Sequence, residues 1–268
     1  FATTFTKLTF SSKTYFQTLL SLYATENSLQ PPIAEPARAD AGAWMAELLA
    51  GYVTSADTGN EDLVIASRAA LADFCAASPR NLDAVCAALV SNVKTRQTPG
   101  RGQGDRVVVP TLEIAAFLCH VGLFQKCRGV DLRHLCLQVQ RAGYKTGNVR
   151  KLEACIKVYG CVAGFDEVCA GVTEEDLGKE EKEEILRGKR RDGISEARKR
   201  LGALMFHPWP RVRSLVVDEL WKLFGEQEDE GEHGGGGGGE SLKSVDWSKA
   251  DKASINRVVE QFALSRAA

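Results

Sequence analysis

Apolar residues recur along this chain at steps of three and four. Leu82, Val85, Cys86, Leu89, Val90 and Val93 form one such stripe, and Leu63, Ala66, Ala70 and Phe74 form another upstream of it. Leu132, Leu135, Cys136 and Val139 follow Asp131, and Val149, Leu152, Cys155, Ile156 and Tyr159 follow Asn148. This spacing places the apolar groups on one face of an α-helix, and each face has to be covered by a neighbour. Asn81 stands where its side-chain oxygen can accept an orphan backbone N–H as an N-cap. From Pro110 to Phe124 two faces are apolar: Leu112, Ala115, Ala116 and Cys119 on one, Ile114, Phe117, Leu118 and Val121 on the other. That pattern predicts a helix held between layers. Pro110 would sit in its first turn, where a missing N–H costs nothing.

Strand patterns are weak. Val107 to Val109 is a short β-branched run ending at a proline, and no alternating stretch or Asn-Gly turn occurs. The expected fold class is therefore all-α. The stripes group in pairs: 41–56 with 61–78, 81–97 with 110–125, 131–142 with 148–163, and 180–205 with 209–224. A single helix follows at 247–264. Paired helices recurring at roughly 40 residues are the mark of HEAT or armadillo arrays, stacked helical hairpins that share a continuous core in an α-solenoid.

Three segments interrupt the array. Gln30 to Ala39 carries Pro31, Pro32 and Pro36, Gln97 to Asp105 is polar and Gly-rich, and Gly225 to Ser241 joins an acidic run to six glycines. The expected organisation is an N-terminal helix and Pro-rich linker over 1–40, a helical-repeat domain over 41–224, a disordered acidic and Gly-rich insertion over 225–244, and a C-terminal helix over 245–268. The chain begins at Phe1 rather than Met, so it reads as a piece of a longer one. Glu174 to Arg200 is acidic first and basic last, which suits the macrodipole of a long solvated helix.

Composition excludes more than it assigns. Hydrophobic residues at 44% and charged residues at 26% are the proportions of a globular chain with its own core. A net charge of -1 and a pI of about 6.5 ask for no polyanion, so nucleic acid is not the expected partner. The apolar stretch Thr111 to Phe124 is interrupted by Glu113 and His120 and is shorter than the ~20 residues of a membrane span. Of the eight cysteines, Cys86, Cys119, Cys136 and Cys155 lie on helix faces, the pattern of reduced core thiols in a cytosolic protein.

Catalytic patterns are missing. Gly143-Tyr-Lys-Thr-Gly147 has the Lys-Thr of a phosphate loop but Gln138 in place of its first glycine, and Gly100-Arg-Gly-Gln-Gly104 follows no strand. Gly193-Ile-Ser-Glu-Ala197 lacks the closing glycine of a nucleophile elbow. Cys119-His120 and His134-x-Cys136 are spaced badly for chelation on a helix. No cofactor and no enzyme activity are expected.

One segment carries a possible binding function. His207-Pro-Trp-Pro-Arg-Val-Arg213 leads into a helix with a core stripe at Val212, Leu215, Val216, Leu220, Leu223 and Phe224, and a second at Val217 and Trp221. Arg211 and Arg213 lie near the helix N-terminus, where the dipole disfavours cations. They call for a carboxylate inside the chain or on a partner. Trp209 is either a core plug or an exposed anchor.

The run from Leu201 to Arg213 followed by Glu219-Leu-Trp221 resembles the C-terminal region of the tubulin-folding cofactor D family. Val245-Asp-Trp247 before a last helix, and Arg106-Val-Val-Val-Pro-Thr-Leu-Glu113, resemble the same region. The glycine insertion departs from the pattern in the manner of fungal-like members. The resemblance implies a HEAT-repeat chaperone that holds β-tubulin and supports αβ-tubulin assembly. It further implies cofactors C and E and an Arl-type small GTPase as partners, stimulation of GTP hydrolysis with the catalytic arginine supplied by cofactor C, and a cytoplasmic, cytoskeleton-associated location. The candidate partner-binding residues are then Trp209, Arg211, Arg213 and Trp247. The helical stripes alone equally fit a different HEAT-repeat adaptor, such as a transport receptor or phosphatase scaffold. An all-α enzyme with a Cys/His metal site is the third reading.

Overall fold

The structure is a computed structural model that describes residues 49, 52–53, 61–95, 104–143, 145–166, 180–224, 242, 245–247 and 249–264. The Pro-rich linker, most of the expected helix 41–56 and of the insertion 225–244, Cys169 and His233 lie outside the described residues. The chain divides into two compact units at Val130/Asp131, a boundary inside the range read from sequence as one repeat domain. All regular elements among the described residues are helical.

The first unit holds α1 (Glu61–Ala77), α2 (Pro79–Thr95), α3 (Gly104–His120) and a 3-10 turn (Phe124–Lys126). α2 packs against both α1 and α3, and the 3-10 turn closes on α2 and α3. The cap of α2 differs from expectation. Ser78 Oγ accepts the N–H of Asn81 at 3.1 Å, and Pro79 takes the first helical position. Asn81 is inside the first turn, buried, and donates to the carbonyl of Phe74 at 3.1 Å. A Ser-Pro pair starts a helix ahead of its first apolar residue, so periodicity alone placed the start too late.

α3 also starts earlier than expected, and Pro110 lies inside it. The β-branched run is helical because Val108, Val109 and Pro110 are buried, which offsets the one backbone hydrogen bond that the proline removes. The two-sided apolar pattern does mark a sandwiched helix, in contact with α1, α2 and the 3-10 turn. α3 ends at His120, short of Phe124. The N–H of Leu123 reaches the carbonyl of Leu118 at 2.9 Å and that of Gly122 reaches Cys119 at 2.9 Å, with Gly122 at φ 74°. This is a Schellman end, and its left-handed position favours glycine. Asp83 of α2 fastens the segment that follows: its Oδ1 accepts the Cys127 thiol at 3.0 Å and the N–H groups of Arg128 and Gly129 at 3.1 and 3.3 Å.

The second unit holds α4 (Leu132–Gly143), α5 (Val149–Ala163), α6 (Glu180–Leu204), α7 (Pro210–Phe224) and α8 (Lys252–Gln261). Asp131 and Asn148 cap α4 and α5 by accepting the N–H groups of His134 and Lys151 at 2.8 and 3.2 Å. α6 packs on α4 and α5, and α7 packs on α5 and α6, so one hairpin is stacked upon another. α6 is not the solvated helix its charges predict. Arg190, Gly193, Ile194, Ala197 and Leu201 form a buried face. Gly193 permits the approach, since a Cβ there would meet Leu132 Cβ at 2.4 Å. α8 is shorter than the expected 247–264; Asp251 caps it by accepting the Ser254 N–H at 2.8 Å. Phe262 then stacks on Phe224 with ring centroids 4.8 Å apart.

Candidate docking surface at the corner between α6 and α7

The chain leaves α6 at Leu204 and enters α7 at Pro210. Two prolines, Pro208 and Pro210, fix φ across this corner. The N–H of Trp209 donates to Nδ1 of His207 at 3.1 Å, and the two rings meet edge to face at 5.2 Å. That bond requires an unprotonated Nδ1. Burial, and then the Arg213 guanidinium, hold the imidazole pKa below its ordinary value of 6.5, which keeps the acceptor available at neutral pH.

Arg213 ties the corner together. Its Nη1 donates to the carbonyls of His207 and Pro208 at 2.9 and 3.4 Å, and its Nε donates to the carbonyl of Trp247 at 3.0 Å. The cation that the dipole disfavours is thus answered by backbone carbonyls at the start of its own helix and beyond it. Trp247 is 7% exposed, and its indole N–H donates to the carbonyl of Leu242 at 2.7 Å. Arg213 and Trp247 therefore brace the corner from within. Trp209, 39% exposed, and Arg211 face solvent, together with Phe206 at 43%.

A cavity of about 350 Å³ adjoins the corner and shares His207 with it. Leu152 and Cys155 of α5 and Ala203 and Leu204 of α6 supply apolar walls, and Lys145 and Arg200 supply charge. Lys145 is held at φ 53°, in the left-handed region that is unfavourable for a side chain of its kind. Sequence reasoning missed Phe206, Lys145 and Arg200. The exposed Phe206 directly precedes His207, within the run from Leu201 to Arg213. The two cations come from elements far apart in the chain, and no linear pattern joins them. Among the described residues, no three His, Cys, Asp or Glu side chains are placed to share a metal ion, and no helix is long and apolar enough to cross a membrane.

A family model described as tubulin folding cofactor D C terminal matches residues 6–151, more than half of the 268-residue chain. The chain belongs to this family. The match confirms the resemblance drawn from sequence. Of the motifs that carried that resemblance, Arg106 to Glu113 falls within the matched span, and the 201–221 and 245–247 segments lie beyond it. The corner between α6 and α7 is thus built from a part of the chain that the family model does not cover. No curated protein and no solved structure matches the chain.

Proposed function

We propose that this cofactor D family chain acts without catalysis of its own, as a scaffold that holds β-tubulin during assembly of the αβ heterodimer. In this reading cofactors C and E and an Arl-type small GTPase are its partners, the GTPase chemistry resides on them, and the work is done in the cytoplasm near the cytoskeleton. Family membership over residues 6–151 carries the pathway. The corner supports the mode of action. Exposed Trp and Arg are the residue types that dominate binding energies, and Trp209, its ring already set against His207, loses little entropy on docking.

The test is retention of purified tubulin and of the GTPase on the immobilised full chain. Wild type is expected to retain tubulin. Trp209→Ala is expected to weaken it by about 2 kcal/mol, roughly thirtyfold, as for an interface anchor. Arg211→Glu should weaken it as well. Retention of neither protein by the wild-type chain would sink the reading.

A further inference from the structure

The first unit holds a cluster of thiols away from the corner. Cys75 of α1, Cys86 of α2 and Cys119 of α3 are buried, as is Cys127, which follows the 3-10 turn. Two of them touch. The side chains of Cys86 and Cys127 share a hydrogen bond, whereas Cys75 and Cys119 act on Cys86 only through space. Asp83 fixes where Cys127 stands. It lies three residues before Cys86 on α2, so the two side chains are neighbours on one face. Its Oδ1 accepts the Cys127 S–H at 3.0 Å, together with the N–H groups of Arg128 and Gly129. With its proton directed at Asp83, the Cys127 sulfur is the acceptor in the thiol pair and Cys86 the donor. That bond, and then burial, hold the Cys86 thiol well above its ordinary range, so it rests protonated.

The two sulfurs differ in access. Cys86 is wholly buried inside α2, whereas Cys127 is covered by a segment whose other residues, Lys126, Arg128 and Gly129, are exposed. A small oxidant reaches Cys127 through that turn and meets Cys86 only behind it. We propose that Cys127 and Cys86 are a peroxide-sensitive dithiol that closes to a disulfide and ties the end of the first unit to α2. The Cys127 sulfur attacks one oxygen of hydrogen peroxide, the O–O bond breaks, and the thiol proton leaves with the other oxygen as water. The Cys86 sulfur then attacks the sulfur of the resulting sulfenic acid, the S–O bond breaks, and the departing hydroxide takes the Cys86 proton as a second water. Two thiols thus give up two electrons, and one peroxide becomes two waters. Contact between the sulfurs makes the second step intramolecular, which offsets the low acidity of Cys86. In the disulfide Cys127 has no proton for Asp83, and the covalent bond takes over the anchoring of the segment.

Peptide mapping by mass spectrometry tests it, on the full chain reduced, freed of reductant and treated with hydrogen peroxide. A Cys86–Cys127 bridged peptide is the expected first cross-linked product, and dithiothreitol should remove it. Cys86→Ser should leave Cys127 as a sulfenic acid, trapped by dimedone roughly tenfold more than in wild type because no adjoining thiol consumes it. Cys127→Ser should leave Cys86 reduced. Both variants should keep the helical circular-dichroism signal. A bridge from Cys127 to any other cysteine overturns the proposal, as does passage of Cys127 to the sulfonic acid without a bridge. So does oxidation of Cys161 while Cys86 and Cys127 both stay reduced. The wild-type map decides among these outcomes by itself, so the proposal stays open to refutation even where a variant fails to fold.

Discussion

At Gly160, in the last turn of α5, a Cβ would stand 2.6 Å from Oε2 of Glu219 and 3.0 Å from its Cβ. Glycine costs a helix up to about 1 kcal/mol against alanine, so its presence here needs a reason. The reason is the close approach of α7, which brings a largely buried glutamate over α5, paired with Lys222 at 2.6 Å. Gly160→Ala should therefore destabilise the protein by about 1–2 kcal/mol despite the gain in propensity, because overpacking outweighs it. Gly188→Ala, where a Cβ meets nothing within 4 Å, should stabilise by up to about 1 kcal/mol. Urea midpoints moving in the same direction for both variants would contradict this account. The residue scale also sets a pH response at His207. Because its folded pKa is depressed, first by burial and then by Arg213, the unfolded chain takes up a proton first as pH falls below neutrality. Stability should decline through the ordinary histidine range, and the decline should level off once the folded imidazole titrates. An NMR titration should place His207 below 6.5, and Arg213→Gln should move it upward.

At the scale of elements, the corner between α6 and α7 is only as rigid as Arg213 makes it. One guanidinium serves three carbonyls, those of His207, Pro208 and Trp247. Hydrogen bonds from a charged donor contribute about 1.5–3 kcal/mol each at most, and they are shared here across a partly exposed site. Arg213→Ala should cost about 2–3 kcal/mol and speed amide exchange around Trp209 and Trp247. Arg213→Lys should recover little, since an ammonium lacks the planar fork. Sequence logic singled out this arginine as a cation out of place but assigned it a carboxylate. The carbonyls that satisfy it become neighbours only after the two prolines turn the chain. Helix ends show the same division. Asp131 and Asn148 were legible as caps, being local in sequence, whereas Ser78 was hidden by a first turn without apolar residues.

At the scale of the whole molecule, the cysteines report on each unit. Cys75, Cys86, Cys119 and Cys127 are buried free thiols of the first unit, and Cys136 and Cys155 of the second; Cys161 is half-buried. Burial, with Cys127 nearby, pushes the Cys75 thiol up to about 12, and burial followed by Glu196 does the same for Cys136. At pH 8 such thiols are ionised to roughly one part in ten thousand, and only the thiolate reacts with an alkylating agent. Among the described cysteines, iodoacetamide labelling mapped by mass spectrometry should mark Cys161 first. The four described thiols of the first unit should then appear together, and Cys136 with Cys155, as each unit opens. Labelling of Cys75 as fast as Cys161 would show that the burial described here does not persist in solution.

The sequence by itself determined that the chain is helical, where most helices run, that the cysteines on helix faces are core residues, and which family it resembles. All of these depend on residues within a few turns of one another, so spacing and capping chemistry record them. Tertiary structure alone decided that the charged helix α6 has a buried face, that Glu219 lies over Gly160, and that Arg213 and Trp247 brace the corner from inside while Trp209 and Arg211 stay outside. It also decided that Lys145 and Arg200 share a cavity. Each of these outcomes depends on which distant backbone or side chain arrives against a residue, and that is settled by the packing of one helix on another rather than by the order of residues along either.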